Sequence, residues 1–364
     1  METRRGEALT NSSSTKLPSV SVVINNYNYG RFLGEAVDSA LGQTYPYLEV
    51  VVVDDGSTDD SREVIASYGD QVIPVLKDNG GQGSAFNAGF SASSGEVVIF
   101  LDSDDHLFPR AVERVVTVWE PGVAKVQYRL QKVDALGNPT GDFDPPLNMP
   151  LSSGEVWRLL LQRGAYVRPP TSGYAFSRVV LELVFPMPEA EWRHGADGYL
   201  VNSVPFYGRV SSIEKALGAY RVHGSNSFAY EGVPNGEWFV KLLQRYSKHQ
   251  KVIADQANRL GYSVPTDLLL EGYGGLASRL SSLRLDPQKH PIPSDRRLGL
   301  VYRGLIATWR HSEFDRGKRL IHSALFIWVG LLPVPLARRA LAWLYAPQSR
   351  PKALELIRGM IRDL

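Results

Sequence analysis

The first hundred residues alternate short apolar, β-branched runs with segments of helical length. Four runs predict buried strands: SVSVVI (19–24), LEVVVVDD (48–55), VIPVL (72–76) and EVVIFLD (96–102). Three segments between them have the length and pattern of helices: 32–41, 61–68 and 82–91. Continuous Val/Ile runs separated by helices are typical of a parallel sheet that helices cover on both faces.

The remaining chain divides into a mixed part and a helical part. Strand-like segments occur at 124–132 and 208–219. Beyond residue 230 the apolar positions follow the helical repeat in four segments: 238–260, 268–283, 297–310 and from 316 onwards. Residues 1–18 are polar and rich in Ser and Thr, without the apolar stretch of a signal peptide, and predict a disordered lead-in. We therefore expect an α/β domain over 19–228 and a helical C-terminal region over 229–364.

Composition narrows the function classes. The 364 residues carry a formal net charge of +2, which gives no reason to expect nucleic acid as a partner. The chain has no cysteine, which excludes a disulfide framework, a thiolate zinc site and a cysteine nucleophile, and fits a reducing cytoplasm. The most apolar segment, 324–337, is too short for a membrane span and is interrupted by Pro333 and Pro335.

Polar and acidic side chains follow three of the predicted strands. They are Asn25-Asn26-Tyr27, Asp54-Asp55 and Asp102-Ser103-Asp104-Asp105. Ligands of open parallel sheets bind beyond the carboxyl ends of the strands, where these residues converge. Five carboxylates so close together repel one another unless a cation or hydrogen-bond donors offset their charge. Oxygen ligands without thiols favour Mg²⁺ or Mn²⁺ over zinc.

Four ordered blocks carry a family resemblance. They are VSVVINNYNYGRFLGEAVDSALGQTYPYLEVVVVDDGSTD (20–59), DNGGQGSAFNAGFSASSGEVVIFLDSDD (78–105), GADGYL (195–200) and YRVHGSNS (220–227). Together they resemble the glycosyltransferase family 2 enzymes with the GT-A fold. The resemblance implies a Rossmann-like, mostly parallel central sheet with helices on both faces. It also implies a nucleotide-binding half (19–115), an acceptor half (116–228) and inverting transfer of a sugar from a nucleotide diphosphate.

The resemblance assigns the donor site by position. Tyr27 would stack on the nucleobase, and Asp55 would accept a hydrogen bond from a ring N–H. Asp104 matches the metal ligand of the Asp-x-Asp motif, and His223 matches a residue near the metal and the diphosphate. The cofactor implied is Mn²⁺ or Mg²⁺. The nucleotide-binding residues implied are Asn25, Tyr27, Asp55, Asn79, Gly81, Asp102 and Ser103.

The same resemblance places the catalytic base at Asp197. In a single in-line displacement a carboxylate takes the proton of the acceptor hydroxyl while its oxygen attacks the anomeric carbon. The family usually has an acidic residue directly before this aspartate, and here Ala196 stands there, which leaves the fine positioning of the base open. The residues expected on the acceptor side are Thr171, Ser172, Ala196 and Arg221.

Structural roles compete with several of these assignments. Asp55 could cap the next helix, although Ser57 or Asp59 could do so instead. The Asp102 cluster could be a surface Asx-turn, and Asp197 or His223 could be structural. As alternative functions we consider a nucleotidyltransferase and a non-catalytic sugar-nucleotide-binding or scaffold protein. A nucleotidyltransferase would carry a basic, glycine-rich loop where Asn25–Asn28 stand, and a degenerate family member would lose Asp104 or Asp197.

The C-terminal segment is basic and apolar. Residues 316–364 contain nine Lys/Arg and two Asp/Glu, with Trp328, Trp343 and Tyr345 among aliphatic residues and Arg338-Arg339 adjacent. This pattern favours a helix in a membrane interface, facing anionic lipid. A buried helix hairpin and a homodimer interface are alternatives that the sequence leaves open. We expect a cytoplasmic protein, peripheral on the inner face of the membrane if lipid is the partner, acting on a glycan or lipid-linked acceptor in polysaccharide biosynthesis, with UDP as the family's commonest nucleotide.

Overall fold

The computed structural model describes residues 17–224, 234–265, 267–310 and 315–345. The chain divides into two compact units. The first comprises Met1–Leu160 with Tyr166–His223, and the second comprises Leu161–Ala165 with Gly224–Leu364. Most of the lead-in expected over 1–18, and the domain boundary expected between 228 and 229, lie outside the described residues.

A nine-stranded mixed sheet forms the centre of the first unit. Its strands are β1 (Val20–Asn26), β2 (Leu48–Asp55), β3 (Ile73–Lys77), β4 (Val97–Asp102), β5 (His106–Leu107), β6 (Val123–Val133), β7 (Pro139–Asp144), β8 (Tyr174–Ser177) and β9 (Arg209–Arg221). Their spatial order is β3-β2-β1-β4-β8-β6-β9-β5, with β7 paired to β6. Strands β1 to β4 are mutually parallel, as their Val/Ile runs predict. Strand β8 pairs antiparallel with both β4 and β6 and joins the two halves of the sheet.

Helices cover the parallel strands on both faces. The helices of this part of the chain are α1 (Gly30–Leu41), α2 (Ser61–Ser67), α3 (Gln82–Ala92), α4 (Ala111–Thr117), α5 (Trp157–Arg163), α6 (Arg178–Leu181) and α7 (Asp197–Ser203). On one face, α1 buries Leu33 and Val37 in the same core cluster as Val22. On the other, α3 lies so close to the sheet that a Cβ at Gly89 would overlap the Val23 side chain. Both surfaces of β1, β2 and β4 are therefore largely buried, which explains their unbroken apolar runs. The edge strand β3 is largely exposed, so the expectation of a buried strand at 72–76 is wrong in its burial.

Strand register brings the polar strand ends together. Asn25 stands between Val53 and Asp102 across the two neighbouring strands, and Asn26 is level with Asp54. Strand β5 returns antiparallel to β9, with His106 opposite Ala219. The end of β9 consequently lies beside the turn that follows β4, although the two are more than a hundred residues apart in the chain.

The second unit is helical among its described residues. Its helices are α8 (Gly236–Arg259), α9 (Leu268–Glu271), α10 (Tyr273–Leu285), α11 (Arg297–Arg310), α12 (Arg316–Leu331) and α13 (Val334–Tyr345). The single helix expected over 268–283 is wrong, because the chain is extended at Gly272 and divides it into α9 and α10. Gly272, Gly274 and Gly275 lower helix propensity there, and Gly275 lies against the backbone of Leu269 and Leu270 where a Cβ would overlap. Within the described ranges, no helix has the length and apolar character needed to span a bilayer.

The aromatic residues singled out in the C-terminal segment pack within this unit. The Trp328 and Trp343 rings meet edge to face at 5.3 Å. The Tyr345 ring lies 5.6 Å from that of Phe239, a residue of the second unit's apolar core. All three residues are only partly accessible, and their contacts within this unit leave less aromatic surface for lipid than the sequence predicts.

A buried ion network joins the helices of the second unit. Asp295, almost fully buried, accepts hydrogen bonds from Arg279 Nε at 2.9 Å and Nη2 at 2.5 Å, and its Oδ2 lies 3.0 Å from His290 Nε2. Burial favours the neutral acid, but the hydrogen bonds and charge of Arg279 and the contact with His290 outweigh burial and lower the pKa of Asp295. The carboxylate therefore stabilises the folded unit.

Replacing Asp295 by Asn removes the buried one of the two carboxylates that pair with Arg279 and leaves Glu271 as its remaining charged partner. We expect the free energy of unfolding at neutral pH to fall by about 3 kcal/mol, measured by urea unfolding. Because the pKa is lowered in the folded protein, the difference from wild type narrows as the pH falls below about 4. The control Glu237→Gln removes an exposed carboxylate paired with Lys241 and should change stability little. Equal stability of Asp295→Asn and wild type at neutral pH would contradict this role.

Candidate functional site

The turn after β4 is held by a serine from the segment before β8. Ser172 Oγ donates a hydrogen bond of 2.6 Å to Asp105 Oδ2 and accepts one of 3.1 Å from Asp102 N. The Asp105 carboxylate also accepts a 2.9 Å bond from the backbone N–H of Arg221. Asp105 is buried, so these donors replace the water that it loses. The hydroxyl thus fixes both ends of the acidic turn.

Arg221 braces the same turn from β9. Its Nε donates to the carbonyl oxygen of Asp104 at 2.9 Å, and its Nη2 pairs with Glu35 on α1. The guanidinium lies 4.8 Å from the centre of the Phe32 ring. Arg221 is buried, and its charge offsets part of the negative charge of the turn.

Asp104 and His223 meet at the mouth of the turn. His223 Nε2 lies 3.0 Å from Asp104 Oδ2, and the imidazole packs against the rings of Tyr29 and Phe32 at 5.5 and 5.0 Å. The aromatic contacts fix the imidazole so that its Nε2 faces the carboxylate. The two predicted metal ligands, Asp104 and His223, are therefore adjacent.

The spacing of this pair fits a divalent ion. Adjacent ligands of an octahedral ion with bonds of about 2.1 Å are about 3.0 Å apart. Carboxylate oxygen and imidazole nitrogen are ligands that Mn²⁺ accepts. No group of three or more His, Cys, Asp or Glu side chains suited to a metal occurs in the described part of the chain.

The structure does not leave all five carboxylates of the strand ends available to a cation. Asp54 accepts from Arg62 Nε at 2.9 Å and from Asn26 Nδ2 at 3.1 Å. Asp55 is bound to Lys77, and Asp105 to Ser172 and the backbone of Arg221. Three of the five carboxylates are thus held by protein donors away from the turn's mouth, whereas Asp102 and Asp104, which contact Thr171 and His223, remain partly accessible.

Burial and mutual repulsion oppose ionisation of two carboxylates in this turn. Burial, followed by the charges of Asp104 and Asp197, raises the pKa of Asp102 to about 8. Burial, followed by the charges of Asp104 and Asp102, raises the pKa of Asp105 well above its usual range. Burial and the charge of Asp104 raise the pKa of Tyr29 to about 12. Such perturbed groups are concentrated where a protein handles charge.

Asp197, the predicted base, begins α7 and is partly accessible. The backbone N–H of Ala196 donates a 2.9 Å hydrogen bond to Gln82 Oε1 at the start of α3, which fixes the approach to α7. No donor of the described residues is hydrogen-bonded to the Asp197 carboxylate. Its charge nevertheless acts on Asp102, so the two carboxylates belong to one site.

Asp55 anchors the glycine-rich loop before α3. Its carboxylate accepts hydrogen bonds from the backbone N–H groups of Gly80 at 2.9 Å and Gly81 at 2.7 Å, and from Asn79 Nδ2 at 3.1 Å. Lys77 Nζ lies 2.6 Å from the same group. Gly81 has φ = +88°, and a Cβ there would collide with the backbone of Arg193. Asp55 and the loop residues Asn79 and Gly81 therefore form one unit. Asp59, and not Asp55, accepts a hydrogen bond at the start of the following helix, from the backbone N–H of Ser61 at 3.1 Å.

The other predicted nucleotide-binding residues differ in accessibility. Tyr27 is 47% exposed, so its ring is free to stack. Both amide atoms of Asn25 are buried and have no hydrogen-bond partner in the described part of the chain. Ser103 is buried, which leaves its side chain little surface for a ligand.

The four residues expected on the acceptor side have a different role. Thr171, Ser172, Ala196 and Arg221 are all buried. Thr171 forms a side-chain hydrogen bond with Asp102, which opposes the rise of that pKa. Together with the contacts of Ser172, Ala196 and Arg221 described above, this makes them supports of the acidic turn and of Asp197. Their burial argues against direct contact between their side chains and an acceptor.

Sequence reasoning missed a buried cationic and aromatic cluster beside Asp197. Lys125 Nζ donates to Tyr166 Oη at 2.7 Å and lies 4.2 Å from the centre of the Tyr174 ring. The Arg168 guanidinium lies 5.8 Å from the Tyr166 ring and is coupled electrostatically to Asp197. Burial and Arg168 lower the pKa of Lys125 well below its usual range.

A signal for this cluster was present in β6. Lys125, Gln127 and Arg129 alternate along the strand, and all three are buried on one face. Gln127 Nε2 donates to Ser152 O at 2.7 Å. Polar residues at period two within an otherwise apolar strand indicate a face that supports loops near a site. Glu35 had no comparable signal, because its partner Arg221 is 186 residues away.

Comparison with known proteins identifies the family. The model of the family described as Glycosyl transferase family 2 matches residues 21–150. An uncharacterized glycosyltransferase of Nostoc sp. (strain PCC 7120) is 39% identical over 255 residues, which cover 68% of this chain and 79% of that protein. The chain belongs to glycosyltransferase family 2. It is a glycosyltransferase.

Two further similarities cover a shorter segment or have a lower sequence identity. Hyaluronan synthase of Pasteurella multocida is 44% identical over 108 residues, which are 29% of this chain and 11% of that protein. The crystal structure of S. aureus TarS 1–349 in complex with UDP-GlcNAc matches with a TM-score of 0.50 at 16% identity, covering 89% of this chain and 91% of that chain. At this identity the structural similarity shows the fold alone, and it confirms the GT-A fold with a helical C-terminal region.

Replacing Asp55 by Asn tests its function as the anchor of the glycine-rich loop. The amide keeps one acceptor oxygen, so one of the backbone N–H groups of Gly80 and Gly81 would face an NH2 donor and the other would lose its charge-assisted bond. We expect hydrogen exchange at these two amides to accelerate about tenfold or more, measured by mass spectrometry on peptides covering 78–83. Asp78→Asn, at an exposed neighbouring carboxylate, is the control. Unchanged exchange in Asp55→Asn would contradict the anchoring role.

Proposed function

We propose that this glycosyltransferase is inverting and metal-dependent, and that it transfers a sugar from a UDP-sugar to a hydroxyl of a glycan or lipid-linked acceptor. The observation that carries the proposal is the Asp197 carboxylate, partly accessible and hydrogen-bonded to no described donor. It acts electrostatically on Asp102 in the turn that also holds Asp104. A base and an acidic donor-binding turn therefore share one site.

Each proposed site residue has one role in a single displacement reaction. Asp197 takes the proton from the acceptor hydroxyl as that oxygen attacks the anomeric carbon. The nucleoside diphosphate leaves on the opposite face. Tyr27 stacks on the base, and the loop of Asn79 and Gly81, anchored by Asp55, lines the nucleotide pocket.

Asp104 and His223 would hold Mn²⁺ or Mg²⁺, which when bound offsets the negative charge of the departing diphosphate. The 3.0 Å spacing of their ligand atoms supports this assignment. Without the ion, the negative charge of the acidic turn would repel a diphosphate, so the proposal requires a cation for tight nucleotide binding.

The nucleotide and acceptor are supported by what similar proteins bind or make. The TarS structure that shares the fold contains UDP-GlcNAc, which supports UDP. Matches to the hyaluronan and chondroitin synthases of Pasteurella multocida, each over about a tenth of those proteins, support a growing polysaccharide as acceptor. A lipid-linked acceptor would bring the enzyme to a membrane surface, as the basic C-terminal sequence suggests. A homodimer remains an alternative use of that region.

Asp197→Asn should abolish proton removal while leaving donor binding intact. We expect turnover to fall by about 10²- to 10⁴-fold, with UDP affinity unchanged. Turnover is measured as UDP release from a panel of UDP-sugars with a bacterial membrane extract as acceptor. Glu182→Gln, at an exposed carboxylate, is the matched control. Near-wild-type turnover in Asp197→Asn would refute the assigned base.

Metal dependence is tested by calorimetry of UDP binding with Mn²⁺, with Mg²⁺ and with chelator. We expect tight binding only with a divalent ion, and we expect Asp104→Asn and His223→Ala to weaken the metal-dependent part by about tenfold or more. Asp142→Asn, at an exposed carboxylate, should bind as wild type does. UDP affinity that is the same with metal and with chelator would contradict the assignment.

A further inference from the structure

Exposed apolar side chains are concentrated on two neighbouring helices of the second unit. Seventeen large apolar residues are exposed among the described residues, and seven of them lie between 298 and 332. Two of them, Leu298 and Tyr302, are 64% and 67% exposed. We name this surface the apolar stripe, and its members are Leu298, Tyr302, Trp309, Leu320, Ile327, Leu331 and Leu332. Contiguous exposure on this scale marks an interaction surface, whereas single exposed apolar residues do not.

The stripe follows the helical repeat. On α11 its members are separated by four and seven residues, and on α12 by seven and four, while Leu332 directly follows the end of α12. At 3.6 residues per turn these positions share one face. The opposite faces supply Leu300, Phe326 and Val329 to the core of the second unit. Each helix therefore has a second apolar face beyond the one that folding requires.

The two parts of the stripe adjoin. Trp309 Nε1 of α11 donates to Ser323 Oγ of α12 at 3.0 Å, and the Arg319 guanidinium lies 5.9 Å from the centre of the Trp309 ring. Further along, α11 approaches α12 so closely that a Cβ at Gly304 would overlap the Phe326 ring. The two helices consequently present one surface.

Positive charge surrounds this surface. The described residues 296–310 and 315–345 contain one acidic residue, Asp315. Over the same ranges the basic residues number nine: Arg296, Arg297, Arg303, Arg310, Arg316, Lys318, Arg319, Arg338 and Arg339. Two of them are paired with carboxylates, Arg303 with Glu271 and Asp295, and Lys318 with Asp315. On the helical wheel of α11, Arg297 and Arg310 lie roughly 100° to either side of the stripe. Arg316 stands one turn before Leu320 on the same face of α12.

Charge complementarity decides between the occupants of the stripe. A second copy of the chain would place the same basic residues against these. The chain's own segment 346–364 has four Lys/Arg and two Asp/Glu, so it is also positive. An anionic lipid surface offers the opposite charge and accepts apolar side chains at the same time. Tyr302 and Trp309 combine an apolar ring with a polar tip, which suits the headgroup region.

We propose that the apolar stripe, with its flanking arginines, docks on an anionic lipid surface with α11 and α12 lying in the plane of the interface. The inference concerns the second unit and does not rest on the transfer reaction or on Asp197. The residues proposed to contact lipid are those of the apolar stripe, which the fold exposes. They differ from Trp328, Trp343 and Tyr345, the aromatic residues that the sequence pattern indicated.

The test is sedimentation of the full chain with vesicles of phosphatidylcholine, with and without phosphatidylglycerol. We expect binding to the anionic vesicles that weakens with salt. The variant Leu298→Ser/Ile327→Ser/Leu331→Ser should bind about tenfold or more weakly. Arg297→Gln/Arg310→Gln/Arg316→Gln should lose the preference for phosphatidylglycerol. All three serine positions are exposed, so thermal unfolding should change little.

The matched control carries the same chemistry elsewhere. Leu136→Ser/Leu147→Ser/Leu183→Ser alters three exposed leucines of the first unit and should bind vesicles as wild type does. No binding of wild type to anionic vesicles, or equal binding by the stripe variant, would overturn the proposal. A wild-type dimer that the stripe variant converts to a monomer would instead assign the stripe to a second copy of the chain. UDP binding by every variant should equal that of wild type, which separates this test from that of the transfer site.

Discussion

The acidic turn between β4 and β5 places three carboxylates within four residues, and their mutual repulsion has to be offset for the chain to fold. Asp105 is buried and held by Ser172 and the backbone of Arg221. The Arg221 guanidinium adds a positive charge beneath the turn and is itself paired with Glu35. With Asp105 fixed in this way, Asp104 is directed towards His223. The turn retains carboxylate oxygens beside His223, and a divalent ion bound there would favour their ionised form.

This constraint explains why distant elements meet here. Strand β8 inserts between β4 and β6 and brings Thr171 and Ser172 to the turn. Strand β9 pairs with β5 and delivers Arg221 and His223 to its other side. Helix α1 supplies Glu35 and the ring of Phe32. The antiparallel second half of the sheet thus serves as the support of a site whose acidic residues come from the parallel first half.

Sequence patterns predicted the elements better than the contacts. The Val/Ile runs located β1 to β4, and the rule that ligands bind at strand ends located the crevice, because both depend on local patterns. The structural roles of Ser172 and Arg221 depend on partners 67 and 116 residues away, which no local pattern reveals. Motif resemblance placed them on the acceptor side, whereas the fold buries them. In α11 and α12 apolar residues occupy two faces, so periodicity alone could not tell which face the second unit would bury.

The most direct test of the account is the position of the metal. Crystals grown with UDP and Mn²⁺ should give an anomalous scattering peak at the manganese edge, within bonding distance of Asp104 Oδ2 and His223 Nε2. The account predicts that this peak disappears in Asp104→Asn crystals while the turn keeps its fold through Asp105 and Arg221. A nucleotide bound in the crevice with no manganese peak beside Asp104, or with a peak on other ligands, would contradict it.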